Sequence, residues 1–437
     1  MKAGTWLLVF LAACGQIKQP RPTATARMEK LAENYVRLGL TIGQYDGDFV
    51  DAYYGPDSLK PASPPAPGAA FPKDSLLAAV KNLRGALDSI QQTASGDSLA
   101  KEAGARAQWL QAQLQAFERR IRIFAGDAAD FDTESKELFG VVAPLKNAGH
   151  FQSLIAELDR LLPRKGPVDQ RFQQLANRFI IPKNKLDTVF KTAIAECRRR
   201  TLQHYQLPAT ESFELEYVNN KPWNGYNWYK GNYHSLIQIN TDLNIFIDRA
   251  IDVGSHESYP GHHVYNMLLE KNLYRDRGWL EISLYPLFSP QSLIAEGSAN
   301  YGISLVFPGE EKTAFARDVL LPAAGLDTTG ISAYFNALAI REELNYARNE
   351  AARGLVNGTM TEAAARQWLM DYCLMNAETA AKSVSFIRRN RTYVINYNYG
   401  KDLVKEYIES GNAGLPERWE KFGWLLSHQV EPAALKP

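Results

Sequence analysis

Helical spacing dominates the chain. From Met28 the apolar positions Met28, Leu31, Tyr35, Leu38 and Ile42 recur every three to four residues and stop at Gly43, which predicts a first helix. Residues 74–93 and 98–124 carry long amphipathic patterns joined by a Ser-Gly-Asp turn, the mark of a helical hairpin, and 130–140 and 151–162 add two more helices. A helix over 185–205, with Asn184 as its N-cap, puts Leu186, Val189, Phe190, Ala193 and Cys197 on one stripe. The period then changes to two. Residues 213–217 alternate apolar and charged, a turn follows through Gly225, and 233–239 is strand-like again. Leu243, Phe246, Ile247, Ala250 and Ile251 return to helical spacing and run into His256. Further helices are predicted over 292–302, 328–353, 361–374, 376–390 and 395–410, with Thr361 and Asn376 as N-caps. The pattern therefore predicts a mainly α, multi-helical protein with one small antiparallel β-sheet, in an N-terminal helical region, 28–165, and a second region, 166–437. The aromatic stretch Phe49–Pro56, followed by a Pro/Ala-rich loop to about Pro72, reads either as a packed surface loop or as a lid.

Composition narrows the class. With 437 residues and 45% hydrophobic content the chain can bury one large core or two moderate ones, and a net charge of +1 without a long basic run argues against nucleic acid as a partner. The first 13 residues read as a signal segment: Lys2 supplies positive charge, Thr5–Ala13 is apolar, and Leu11-Ala12-Ala13-Cys14 has the form of a lipobox. The apolar run is shorter than the ~20 residues of a spanning helix, so membrane attachment is expected through a lipid on Cys14, with 14–27 as a tether. Gly15 after the cysteine resembles lipoproteins sorted to the outer membrane, which places the expected location in the bacterial envelope, facing the periplasm. Of the remaining cysteines, Cys197 and Cys373 lie in helical patterns without a second ligand nearby. A disulfide between them stays open, with two buried thiols the favoured reading.

Three of the seven histidines and one carboxylate fall within the stretch His256-Glu257-Ser-Tyr-Pro260-Gly261-His262-His263. A His-Glu pair followed by a further His is the pattern of zinc peptidases, in which two imidazoles hold Zn2+ and the Glu acts on water. The spacing departs from HExxH. On a straight helix a residue six positions on lies about 120° away around the axis, and one seven positions on lies roughly 10 Å along it, so neither His262 nor His263 would share an ion with His256. Pro260 lacks the amide a helix needs and Gly261 accepts almost any backbone angle, so a break or bulge is expected there. Looping out two residues returns His262 to the place of the second ligand and leaves His263 beside the ion or facing substrate; His263 as the ligand stays open. Catalytic zinc takes a third protein ligand. Glu296, a lone carboxylate among the small residues of Ser292–Gly302, is the candidate, and Asn300, four residues on, shares its face and could orient a liganding imidazole.

These two motifs, HExxPGHH and Ala295-Glu296-Gly297-x-Ala299, resemble a bacterial domain-of-unknown-function family, number 885, on the gluzincin side of the zincin metallopeptidases. The resemblance covers most of the chain from about Met28. It implies a helical, zincin-like fold, a zinc site of two His and a Glu, and hydrolysis of peptides or related amides. Ser298 stands where that family usually has Trp, and Ile303 where a second acid commonly follows. Tyr397-x-x-Gly400 is similar to a motif near the family's end, although the usual upstream Pro is absent.

The expectation is therefore a zinc-dependent hydrolase acting on a peptide or small amide. His256, His262 and Glu296 would be ligands, Glu257 the general base, and Tyr397 a hydrogen-bond donor to the developing oxyanion. Arg388, Arg389 and Arg391 could bind a substrate carboxylate. Tyr226, Trp228, Tyr229 and Tyr233 either line subsites or simply pack, and His234 is either a substrate contact or structural. The rival readings are a helical envelope lipoprotein with a structural metal, and a hydrolase of non-peptide amides or esters.

Overall fold

The apolar stripe that begins at Met28 lies on α1 (Ala24–Gly43), where Met28, Tyr35, Val36 and Ile42 are buried. The computed structural model describes residues 24–93, 98–163, 165–221 and 223–436, so the signal segment, Cys14 and most of the tether lie outside the described residues. Residues 24–27, read above as the end of the tether, form the first turn of α1. Helices α2 (Lys73–Thr93) and α3 (Ser98–Phe124) pack as the expected hairpin, with α1 against both. Next come α4 (Phe131–Phe139), α5 (Ala148–Leu161), α6 (Val168–Ala176) and α7 (Leu186–Thr201). Asn184 is not the cap of α7. Pro182 instead starts a tight 3-10 turn, closed by the Lys185 amide donating to the Pro182 carbonyl at 2.8 Å, and that turn feeds directly into the helix.

The strands form two small sheets. Val50–Tyr53 (β1) pairs antiparallel with Leu284–Pro286 (β5), so the core of the Phe49–Pro56 stretch is a strand packed into a sheet, with Phe49 buried, and not a lid. The second sheet holds β2 (Ser212–Val218), β3 (Gly225–Gly231) and β4 (His234–Asn240) in the order β2-β4-β3. β3, which the pattern does not mark as a strand, makes an antiparallel hairpin with β4, turning at Asn232 and Tyr233, both at positive φ. β2, however, runs parallel to β4, because β4 inserts between its two predecessors; this leaves β3 at an edge.

Helices α8 (Ile247–Glu257) and α9 (His262–Leu269) follow, then α10 (Pro290–Val306), capped by the Ser289 side chain. The chain ends in α11 (Glu311–Phe315), α12 (Leu321–Ala324), α13 (Ile331–Leu344), α14 (Ala347–Val356), α15 (Glu362–Tyr372), α16 (Ala377–Asn390), α17 (Ile395–Glu409) and α18 (Leu415–Ser427). The single helix predicted over 328–353 is two, broken at Asn345–Tyr346, whereas Thr361 and Asn376 cap α15 and α16 as expected, accepting from the amides of Ala364 and Thr379. Cys197 and Cys373 are separate buried thiols.

The fold is thus mainly helical, and α10 is its axle. This helix is apolar or small on nearly every face, the composition of a helix surrounded by protein, and α8, α9, α17 and α18 all pack on it. Two glycines permit the closest approaches. A Cβ on Gly297 would fall 2.4 Å from the Gly400 carbonyl oxygen of α17, and one on Gly302 would meet the Pro260 ring at 3.1 Å. The small residues around Glu296 therefore admit α17 and the Pro260 turn. Among the described residues, no helix is long and apolar enough to cross a membrane.

Candidate metal centre

The helix carrying His256 stops one residue later. After Glu257 the chain leaves helical geometry at Ser258 (φ −117°, ψ −91°), passes Tyr259 and Pro260, and restarts as α9 at His262. Gly261 folds back over the end of α8: its amide donates to the Ser255 carbonyl at 3.1 Å, and a Cβ there would fall 1.9 Å from the His256 carbonyl oxygen. No side chain fits that approach. Of the break or bulge expected here, the chain has the break, a complete one between two helices, and its effect is the one needed: His256 Nε2 and His262 Nε2 lie 3.1 Å apart.

From α10, Glu296 meets both imidazoles, with Oε2 3.3 Å from His256 Nε2 and 3.8 Å from His262 Nε2. Zinc–ligand bonds of about 2.0–2.1 Å set tetrahedral donor atoms about 3.3–3.4 Å apart, and the three separations here, 3.1, 3.3 and 3.8 Å, bracket that value. Glu296 Oε2 is buried and makes no hydrogen bond of good geometry, while Oε1 accepts from the Tyr393 hydroxyl at 2.8 Å. A buried carboxylate oxygen left free and aimed between two imidazole nitrogens fits a divalent cation. Glu257 also falls in the cluster, with His256, Glu257 and His262 each offering an atom within 4.8 Å of the others. Of the two carboxylates, Glu296 suits the ligand role by the free, buried oxygen that it turns to both imidazoles, and Glu257 is left beside the donor set.

Electrostatics agree with a cation seat. Burial would raise Glu296, but the His256 and His262 imidazoles outweigh it and hold its carboxyl far below the usual range. Burial would lower His262, but Glu296, Glu257 and Asp51 outweigh it and hold the imidazole at about 9. A proton here compensates the clustered carboxylates, as a metal ion would.

Asn300 occupies its predicted place. Its Nδ2 donates to the Tyr397 carbonyl at 3.0 Å, which turns Oδ1 toward His256 Nδ1 at 3.1 Å. His256 then carries its proton on Nδ1 and presents Nε2 as a lone pair. Tyr397 is half-buried, and its hydroxyl is held protonated by desolvation and by the nearby charges of Glu296 and Glu257, which outweigh Arg348 and Tyr393.

His263 and His234 are elsewhere. Successive residues on a helix diverge by about 100°, so His263 points away from His262. It is fully buried, with Nδ1 2.8 Å from Ser235 Oγ and Nε2 3.1 Å from Glu211 Oε2, and faces neither the donor set nor substrate. His234 begins β4 and bonds Ser212 Oγ at 3.0 Å, at the end of the hairpin opposite Gly225, where a Cβ would lie 3.5 Å from Glu257 Oε1. The three arginines are already neutralised: Arg388 pairs with Glu362 (3.0 Å), Arg389 with Asp48 (2.8 Å) and Arg391 with Glu134 (2.7 Å). The hairpin aromatics divide by strand alternation. Tyr229 donates to Glu270 at 2.5 Å and Tyr233 stacks with Arg275, whereas Tyr226, packed on Trp228, reaches toward the donor set.

Two features emerge only in three dimensions. Tyr226 hydrogen-bonds Asp51 on β1, a carboxylate next to His262, Glu296 and Glu257; burial and the two glutamates push Asp51 up to about 6, although Tyr226 and His262 pull the other way. Tyr393, four residues before Tyr397, orients Glu296. The first could have been suspected from a lone Asp in an aromatic strand; the second had only its spacing from Tyr397.

No family model matches the chain, and no curated protein sequence matches it. Among solved structures, one described as a "putative lipoprotein" from Colwellia psychrerythraea aligns with a TM-score of 0.52 at 15% identity, over 83% of this chain and 69% of that one. The M32 carboxypeptidase of Deinococcus radiodurans R1 aligns at 0.44 and 12% identity, over 95% and 94% of the two chains. A "putative lipoprotein of unknown function" from Shewanella oneidensis aligns at 0.44 and 10%, over 82% and 73%. The Colwellia protein thus shares the fold of this chain at a level of identity that speaks for architecture alone.

Proposed function

We propose that the protein is a zinc-dependent hydrolase of peptide bonds. The observation that carries this reading is the convergence of His256 Nε2, His262 Nε2 and the unpartnered Glu296 Oε2 within 3.8 Å of one another, with a further carboxylate, Glu257, beside them. His256, His262 and Glu296 would hold the ion, which when bound supplies a polarised water and a Lewis acid for the substrate carbonyl. Glu257 takes a proton from the attacking water and delivers it to the departing amine nitrogen. The Tyr397 hydroxyl, kept protonated, is the donor on this chain for the carbonyl oxygen as it gains charge. Asn300 fixes the His256 tautomer and Tyr393 the Glu296 carboxylate. A purely structural ion would have no use for Glu257, the residue that follows a ligand directly.

The reading extends to location: cleavage before Cys14 and lipidation there would hold the catalytic region at the bacterial envelope, at the outer membrane facing the periplasm. The deciding experiment for function compares wild type with Glu257→Gln at matched zinc content on a mixed peptide library. The reading predicts turnover by wild type and its loss in the variant with zinc retained; equal turnover by both, or none by either, removes it.

A further inference from the structure

One cation beside this centre has no anion among the described residues. Arg348 lies on α14 with its guanidinium carbon 5.0 Å from the centre of the Phe386 ring, and its buried Nε makes no hydrogen bond. Burial pulls its pKa down, and the ionisable groups acting on it are Tyr397 and Cys373, neither of them a carboxylate. An arginine cannot shed its charge to escape this cost, as a lysine can. Other arginines of the surrounding helices differ. Arg353 on the same helix is paired with Glu350 and Asp132, the three arginines around the end of α16 are paired as described, and Arg341, stacked on Phe172, has Asp248 and Asp169 acting on it.

The position of Arg348 gives the vacant charge a use. Phe386 packs on Tyr397 with ring centres 6.4 Å apart, and the Tyr397 hydroxyl feels the charges of Glu296, Glu257 and Arg348. Arg348 and the donor set therefore neighbour the same tyrosine. A substrate carbonyl resting against Tyr397 would have its next few atoms within reach of the guanidinium. We propose that Arg348 is a specificity residue that receives a substrate carboxylate, the free C-terminal carboxylate of a peptide cleaved near its end. The fork of N–H donors matches a planar carboxylate, and the charge that lacks an anion among the described residues gains one on binding. This rests on the peptidase reading for the reaction but not for the binding.

The test separates the two. Three N-acetylated peptides are used: trialanine with a free C-terminal acid, its C-terminal amide, and the amide of Ala-Ala-Asp, which carries its carboxylate on a side chain. Binding is measured by calorimetry on zinc-loaded Glu257→Gln, and cleavage on wild type. Arg348 predicts that the acid binds on the order of 30- to 100-fold more tightly than the amide, the loss of one desolvated charge pair. In Arg348→Gln that ratio falls to about one, with KM for the acid rising and kcat nearly kept, and Arg348→Lys restores part of it. Selective binding of the Asp peptide amide would keep the carboxylate and move its source to a side chain. Acid and amide bound alike by the unsubstituted Arg348 protein overturns the inference whether or not the variants fold. Arg348-dependent acid binding without any peptide cleavage instead removes the peptidase reading and leaves this one standing.

Discussion

Gly297 of α10 and Gly400 of α17 meet backbone to backbone, so that a Cβ on the first would lie 2.4 Å from the carbonyl oxygen of the second. The contact sets the distance between the helix that carries Glu296 and the one that carries Tyr397, and hence the width of the candidate site. Gly297→Ala cannot be absorbed by a flexible side chain, because the opposing atoms are backbone. We expect it to cost about 1–3 kcal/mol of stability by overpacking and to lower turnover by more than that loss explains. Thermal melting and kinetics on the folded fraction check it.

Asn300 acts on zinc through His256. Replacing it with Ala leaves Nδ1 of that imidazole without its acceptor and frees the tautomer, so zinc affinity should fall about 10- to 100-fold while the metal-free protein melts near the wild-type temperature. Competition against a chromogenic chelator measures the first quantity and calorimetry the second.

His263 supports stability through Glu211. The carboxylate also accepts from the Tyr259 hydroxyl at 2.6 Å and from Arg198 Nε at 2.8 Å; burial pushes it up, but these partners outweigh burial and hold it at about 2. A carboxyl depressed in the folded state stabilises above its unfolded value and stops doing so as pH falls through the folded one. Glu211→Gln should therefore destabilise by on the order of 3 kcal/mol at pH 7, and the gap from wild type should close as pH drops from about 4.5 toward 2. Melting temperatures of both proteins across that range decide it; a gap that widens in acid contradicts the assignment.

The parts of this site that were legible in the sequence are the ones that are local. Caps at Thr361 and Asn376, the helical stripes, and the six-residue interval from His256 to His262 across Pro-Gly each state their own geometry. Glu296 stood out because a carboxylate amid Ala, Gly and Ser on an apolar helix has few uses other than binding. Relations across the chain were not legible. Asp51 meets Tyr226 only because β1 is drawn beside the hairpin through its pairing with β5, and Arg348 is distinguished by a partner it lacks, which spacing cannot reveal. The parallel pairing of β2 with β4 was hidden for the same reason, since alternation fixes which residues face the core but not which strand inserts between which.

Lipid attachment is tested apart from catalysis. Expressed from its first residue in a Gram-negative host, the protein should incorporate labelled fatty acid and fractionate with the outer membrane, and Cys14→Ser should remove the label and release the chain from that fraction. Label retained by the variant would assign the lipid to another residue.

The central claim is that one ion sits among three named atoms, and anomalous scattering at the zinc edge from crystals of zinc-loaded protein tests it most directly. We expect one strong peak about 2.0–2.2 Å from His256 Nε2, His262 Nε2 and Glu296 Oε2. A peak at His263 and Glu211, or none near His256, would contradict it.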